Sequence, residues 1–370
     1  MAYMNAMGRL SAAYPDDHEA RAFHSLSILG STDGERDFGT YIKAASVAQP
    51  IFDANPDHPG AVHYMIHSFD DPVHAPLGLE AARAYSEIAP GAGHAQHMTS
   101  HIFVALSMWD DVVSANVRAR DVQNAREEEL GRPPNVCGHY TSWLHYGWLM
   151  QGKIADAERG MAECRERALN SIVASETNYF VNMRARHVLD LRDWSAAGRL
   201  AADVDHPGYD FIDAYAAIKS GNIELGQRRT DWLKARSDAD QPRQQIAIME
   251  LDALLALDAG ESDRTIELLE EAAALEESLP FEFAPPASLK PPHELLGEVL
   301  AAVGDHAAAL TAFRAALNFT PERGPSLMGL AEAASALGDQ ATAMDARERL
   351  EHIMRNADAG VAPRLPNRRE

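Results

Sequence analysis

Residues 291–322 read PPHELLGEVLAAVGDHAAALTAFRAALNFTPE, and their spacing decides the fold. Leu296-Gly297 is followed by Leu300, a Gly304-Asp305 turn, Ala309, Phe313, Ala316 and then Pro321. Apolar residues recur at helical spacing on both sides of the Gly-Asp break, so the segment predicts two helices folded back on each other. Small residues stand where the two must cross closely, and large ones fill the gap between them.

This order resembles a tetratricopeptide repeat, a helical hairpin of about 34 residues with Leu-Gly, Ala, Phe, Ala and Pro at fixed places. Moving forward by one repeat brings Leu330, Gly338-Asp339 and Ala343 into register. Upstream, residues 141–168 place Leu144, Trp148, Gly152, Ala157, Met161 and Cys164 at the same offsets. Weaker copies surround Gly221 and Gly260, and Trp109 and Trp194 each sit just past a turn. A single hairpin cannot bury its apolar face, so such units stack on their neighbours. The expected fold is all-α, with tetratricopeptide-like hairpins in a right-handed superhelix. Breakers at Pro15, Pro56 to Pro59, Pro90-Gly91, Pro133-Pro134, His206 to Gly208, Pro280 and Pro285-Pro286 separate the units. The expected segments are an N-terminal hairpin at 1–58, His-rich repeats at 59–175, degenerate repeats at 176–290, C-terminal repeats at 291–357 and a disordered tail at 358–370.

Composition narrows the function classes. The 370 residues carry a formal net charge of −22, which argues against nucleic acid, since phosphate binding needs Lys and Arg to displace counterions. The same charge argues against anionic membranes, and no run of apolar residues is long enough to span one. The N-terminus shows no signal-peptide pattern, although a boundary that removed a leader stays open. Cys137 and Cys164 lie far apart in sequence and give weak evidence for a disulfide, so a reducing cytoplasm is the expected compartment.

Sixteen histidines are present, eleven of them before residue 146. HPGAVHYMIHSFDDP holds His63, His67, Asp70 and Asp71; APGAGHAQHMTSHIFVAL holds His94, His97 and His101. Both segments are expected to be helical, so His63, His67 and Asp70 form one stripe and His94, His97 and His101 another. A third helix carries His139, near Tyr140 and Trp143. In tetratricopeptide proteins the first helix of each hairpin lines a concave groove, which in the best-matched unit corresponds to Glu294, Glu298 and Ala301. Setting Pro90 equivalent to Pro321, and Ser107-Met108 to Gly304-Asp305, brings the histidines of three hairpins onto that face.

Imidazole is a common metal ligand, and a His-rich set with one Asp suits Zn, Fe or Cu better than Ca or Mg. The metal reading takes His63, His67, His97, His101, Asp70 and His94 as ligands of a divalent transition metal. His139, Asp71, Glu294, Glu298 and Arg186 stand beside it as substrate or supporting groups, and no catalytic residue is named. Such a site would act on a small molecule held between hairpins. The plain alternative is a set of interhelical hydrogen bonds, with Ser100, Thr99 or Tyr64 as partners. Glu294 and Glu298 likewise read either as a clamp or base, or as a solvated acidic face. A non-catalytic scaffold that holds a peptide in its groove is the second functional class. HELLGE at 293–298 is not a zincin motif, and no GxGxxG, GxxxxGK[ST], GxSxG or CxxC occurs.

The histidine segments also carry a more specific resemblance. His63, Tyr64, Ile66, His67, Asp70, Asp71, Pro72, His94, Ala95, His97, Met98, Ser100, His101 and Trp109 match a bacterial tetratricopeptide-repeat group with an HYxIHxxDDP and HAxHMxSHIF signature. The chain is also distantly similar to the tetratricopeptide repeat protein 38 family. The resemblance implies the repeat fold and marks the His/Asp set as its signature, without naming a reaction. Thr99 departs from it, standing where Pro is expected, which alters the helix start at the site.

Overall fold

A computed structural model describes residues 1–32, 37–171, 173–236, 238, 241–280 and 285–361. The described residues are helices joined by turns, and they divide into two compact units. The first is built on Met1–Asn135, with Leu279 and Pro280; the second on Val136–Ser278 and residues 285–361.

The first unit runs α1 (Ala2–Ala13), α2 (His18–Leu29), α3 (Phe38–Ala54), α4 (Pro59–Phe69), α5 (Ala75–Ile88), α6 (Gly93–Ala105) and α7 (Trp109–Glu129). The second begins with α8 (His139–Gln151), α9 (Ile154–Leu169), α10 (Ala174–Leu191) and a single turn α11 (Ala196–Arg199). It continues through α12 (Pro207–Lys219), α13 (Ile223–Arg236), α14 (Pro242–Asp258) and α15 (Ser262–Glu277). It ends with α16 (Pro292–Ala302), α17 (His306–Phe319), α18 (Gly324–Ala336) and α19 (Gln340–Ile353). Within each unit successive helices pack on one another as hairpins, so the all-α tetratricopeptide-like fold holds.

The turn chemistry explains the hairpins. Gly304 reverses the chain between α16 and α17 with φ +91°, a conformation a side chain resists. Asp305 then caps α17 through Ala308 N–H at 3.0 Å. The α6–α7 turn lacks this glycine, yet Ser107 adopts φ +61° in the same place. The histidine hairpin therefore keeps the repeat geometry without the sequence signal that marks it elsewhere.

Close crossings depend on missing side chains. Phe313, 1% exposed, is the wedge between α16 and α18. A Cβ on Gly297 would lie 2.9 Å from its ring, and one on Gly329 would lie closer still. No described helix is long and apolar enough to cross a membrane.

Two expectations are corrected. Cys137 and Cys164 form a disulfide, with Cα atoms 4.3 Å apart despite a sequence separation of 27. The turn at Gly152 folds α9 back beside α8, so separation along the chain was no guide, and the argument for a reducing compartment falls. The C-terminal segment is docked at its start: Asp358 donates to Gly152 O at 3.1 Å and accepts from Ala155 N–H at 2.8 Å. The rest of the expected tail, 362–370, lies outside the described residues.

Gly329→Ala is expected to cost about 1–3 kcal/mol by forcing a methyl into a filled crossing. Urea denaturation checks this, and adding Phe313→Leu should recover part of the loss.

Candidate metal centre

The site is assembled from α4 and α6, with α5 and α7 holding them in place. His58 caps α4, its Nδ1 accepting from Ala61 N–H at 3.2 Å, and Pro59 opens the first turn. His63 and His67 follow one helical turn apart, and Asp70 ends the helix. Asp71 then shapes the turn into α5. Its Oδ1 accepts from the backbone N–H groups of Val73 and His74, and His74 Nδ1 lies 2.9 Å away. Asp71, expected as a supporting group, shapes this turn with its carboxylate.

Gly78 on α5 sets how closely the two histidine helices approach. A Cβ there would lie 2.7 Å from Ile102 Cδ1 and 3.1 Å from Phe69 Cβ. Ile102 follows His101, and Phe69 precedes Asp70, so this one crossing places the end of α4 against α6.

The imidazoles form two pairs. Nε2 of His63 and Nε2 of His67 are 3.1 Å apart, and Nε2 of His97 and Nε2 of His101 are 3.2 Å apart. Two nitrogens each about 2.0–2.1 Å from a tetrahedral Zn²⁺ stand about 3.3 Å apart, so both pairs sit near a chelating separation.

The second pair is oriented from behind. His101 Nδ1 lies 2.7 Å from Asp70 Oδ2, and His97 Nδ1 lies 2.7 Å from Asn116 Oδ1. Asn116 is buried and its Nδ2 donates to Val112 O at 2.9 Å, which turns the amide oxygen toward His97. A carboxylate and an amide oxygen only accept, so both rings carry their proton on Nδ1. A ring protonated there has its lone pair on Nε2, and the two Nε2 atoms stand 3.2 Å apart. A positive centre between the rings, a metal ion or one additional proton, would suit this contact. Asp70 thus serves His101 as an orienting partner, where the sequence reading made it a ligand.

The first pair is packed differently. His63 stacks on Tyr85 with ring centroids 5.4 Å apart, and His94, exposed, meets it edge-on at 5.2 Å. Burial, then the neighbouring His67, His94 and His101, lowers the His63 imidazole to about 3. The pairs are neighbours, with His67 and His101 centroids 6.5 Å apart. Among the described residues of this unit, no three of these side chains bring ligand atoms within 4.8 Å of one another. The expectation of one ion shared by His63, His67, His97 and His101 gives way to two adjacent chelating pairs.

His139, Glu294, Glu298 and Arg186 belong to the second unit. His139 is exposed at the start of α8, packed on Tyr140, Trp143 and Tyr179. Glu294 is fully buried, which overturns the solvated-face reading for this residue. Its oxygens meet Lys290 Nζ at 2.7 Å, Arg323 Nε at 2.8 Å and Ser326 Oγ at 2.5 Å. Burial alone would raise the Glu294 carboxyl, but Arg323 and Lys290 hold it well below the usual range. Glu298 meets Lys290 and Arg192 at 2.7 and 2.9 Å, and Arg186 donates to Pro286 O. Glu294, Glu298 and Arg186 are tied into the packing of their own unit.

Sequence reasoning missed Asn116 and Gly78. Asn116 was visible as a lone polar residue on the α7 stripe of Val112, Ala115 and Ala119.

No family model matches the chain, and no curated protein matches it in sequence. In structure it is similar to yeast Tom70, with TM-score 0.39, 11% identity, and 95% of this chain and 88% of that one covered. It is also similar to a human IFIT1 dimer with m7Gppp-AAAA, with TM-score 0.41, 15% identity and coverages of 90% and 72%. A third likeness, to the APC/C hetero-tetramer Cut9-Hcn1, has TM-score 0.38, 12% identity and coverages of 93% and 61%.

The lowered His63 imidazole carries a sign that can be checked. The unfolded ring takes up a proton near 6.5 while the folded one resists it down to about 3, so stability falls as pH drops through that window. The urea midpoint of metal-free protein should decline from about pH 7 to about pH 4, and less steeply in His63→Asn.

Proposed function

We propose that this chain is a tetratricopeptide-type repeat protein that carries a transition-metal centre on α6, with the α4 pair as a second donor group beside it. The observation that carries the reading is the 3.2 Å approach of the Nε2 atoms of His97 and His101, with both Nδ1 atoms facing acceptors. His97 and His101 supply the first two nitrogens. His63 and His67 offer the other chelating pair, with His94 at its edge. The all-nitrogen, borderline-soft donor set suits Zn, Fe or Cu.

A bound ion held by two imidazoles keeps positions for water or a small molecule, and there it would act as a Lewis acid. Asp70 and Asn116 hold the imidazole tautomers and raise the basicity of Nε2. Tyr85 covers His63 and limits water on that side. The partner class is a small molecule or a peptide side chain that brings its own donor atom to the ion. The stretches that resemble the bacterial group and the tetratricopeptide repeat protein 38 family are those that build this centre, so we read that signature as metal-binding.

The test is metal content of untagged protein before and after chelation and reloading. Wild type should reload stoichiometrically, and His97→Ala with His101→Ala should not. Asp70→Asn and Asn116→Ala should each weaken affinity by roughly 10–100-fold while leaving the helical circular-dichroism signal intact. Wild type that takes up no stoichiometric Zn, Fe or Cu would leave a non-catalytic scaffold, with the extra proton as the positive centre.

A further inference from the structure

The second unit contains a cavity of about 270 Å³ that the histidine centre does not use. It lies among α10, α12, α13, α14 and the segment ahead of α16. Its walls are mainly apolar, with Phe211, Leu233, Ile246 and Leu289 prominent. Its lining also includes Glu250, 1% exposed, whose buried Oε1 has no hydrogen-bond partner among the described residues. A buried polar atom left without a partner costs on the order of 1–3 kcal/mol, so this oxygen is either served by a guest or carried at a loss.

The surroundings choose the kind of guest. Burial, then Glu276, pushes the Glu250 carboxyl well up, with Glu294 and Glu298 adding to the effect and Lys290 opposing it. Lys290 is itself committed to Glu294 and Glu298 at 2.7 Å. His206, at the α12 end, spends Nδ1 on Gly208 N–H and is held neutral by burial. Arg243 lines the same cavity two helical turns before Glu250 on α14. The cavity therefore has an apolar body, Glu250 and, two helical turns away, Arg243 in its lining, and carboxylates beyond Glu250. An ammonium fits this end, whereas a carboxylate would meet Glu250, Glu276 and their neighbours.

We propose that this cavity binds a small primary amine with an apolar body, its ammonium paired with Glu250. Burial disfavours the Glu250 carboxylate in the empty cavity and pairing favours it, so binding shifts the carboxyl toward its ionised form with release of a proton to solvent. The three N–H donors of the ammonium satisfy Oε1, and the apolar body displaces water from Phe211 and Ile246.

Calorimetry on the full chain with phenethylamine and hexylamine, against phenethyl alcohol and hexanol, tests this. The amines should bind about tenfold or more tightly than the isosteric alcohols, the worth of one charge-assisted pair. Titrations in buffers of different ionisation enthalpy should show close to one proton released per amine bound. Glu250→Gln, which keeps the shape of the side chain, should abolish both the preference and the proton release. Ala247→Phe, which fills the cavity, should abolish binding of amine and alcohol alike. Equal binding of amine and alcohol, amine binding without proton release, or a cavity that takes only water would overturn the proposal.

Discussion

At Gly78, Gly297 and Gly329 neighbouring groups come so close that a side chain would have no room. Gly78 is where that constraint reaches the candidate site. With only hydrogen at that position, Ile102 and Phe69 close over α5, and the residues next to them, His101 and Asp70, come within 2.7 Å. The same device recurs at Gly297 and Gly329 around Phe313. In the C-terminal repeats it yields only packing. In the histidine hairpins it fixes a charged group behind an imidazole.

That fixed distance decides the chemistry. An isolated pair of histidines one turn apart is free to share a proton, one ring donating and the other accepting. Asp70 and Asn116 remove this freedom for His97 and His101, because both claim the Nδ1 proton. The cost is two lone pairs facing each other, and a cation between them turns that cost into binding energy. The first pair is shaped by burial, which keeps His63 neutral over the range in which histidines usually charge. Neutral nitrogen is the form a metal takes.

The periodic parts of the fold were legible in the sequence. Leu296-Gly297, Phe313 and the Gly-Asp turns predict hairpins because helix crossing constrains residue size at fixed spacing. The histidine stripes were legible for the same reason: three- and four-residue steps share a face. Tertiary partnerships were not. Asp70 shares the α4 stripe, but its role as the His101 partner appears only once α6 is beside it. Asp71 reads in sequence only as a group beside the histidines, and its contacts with Val73 and His74 in the turn appear only in the fold. Glu294 carries the pattern of a solvated Glu-rich helix, and only Arg323, 29 residues away, makes it a buried ion pair. Ser107 takes the left-handed turn where pattern matching looks for glycine.

The most direct test of the central claim is X-ray absorption at the metal edge of zinc-loaded, untagged protein. The spectrum should show a shell containing at least two imidazole nitrogens at about 2.0–2.1 Å, with the outer-ring scattering of histidine, lost in the His97→Ala, His101→Ala protein. A shell of oxygen alone, or one unchanged by those substitutions, would contradict it.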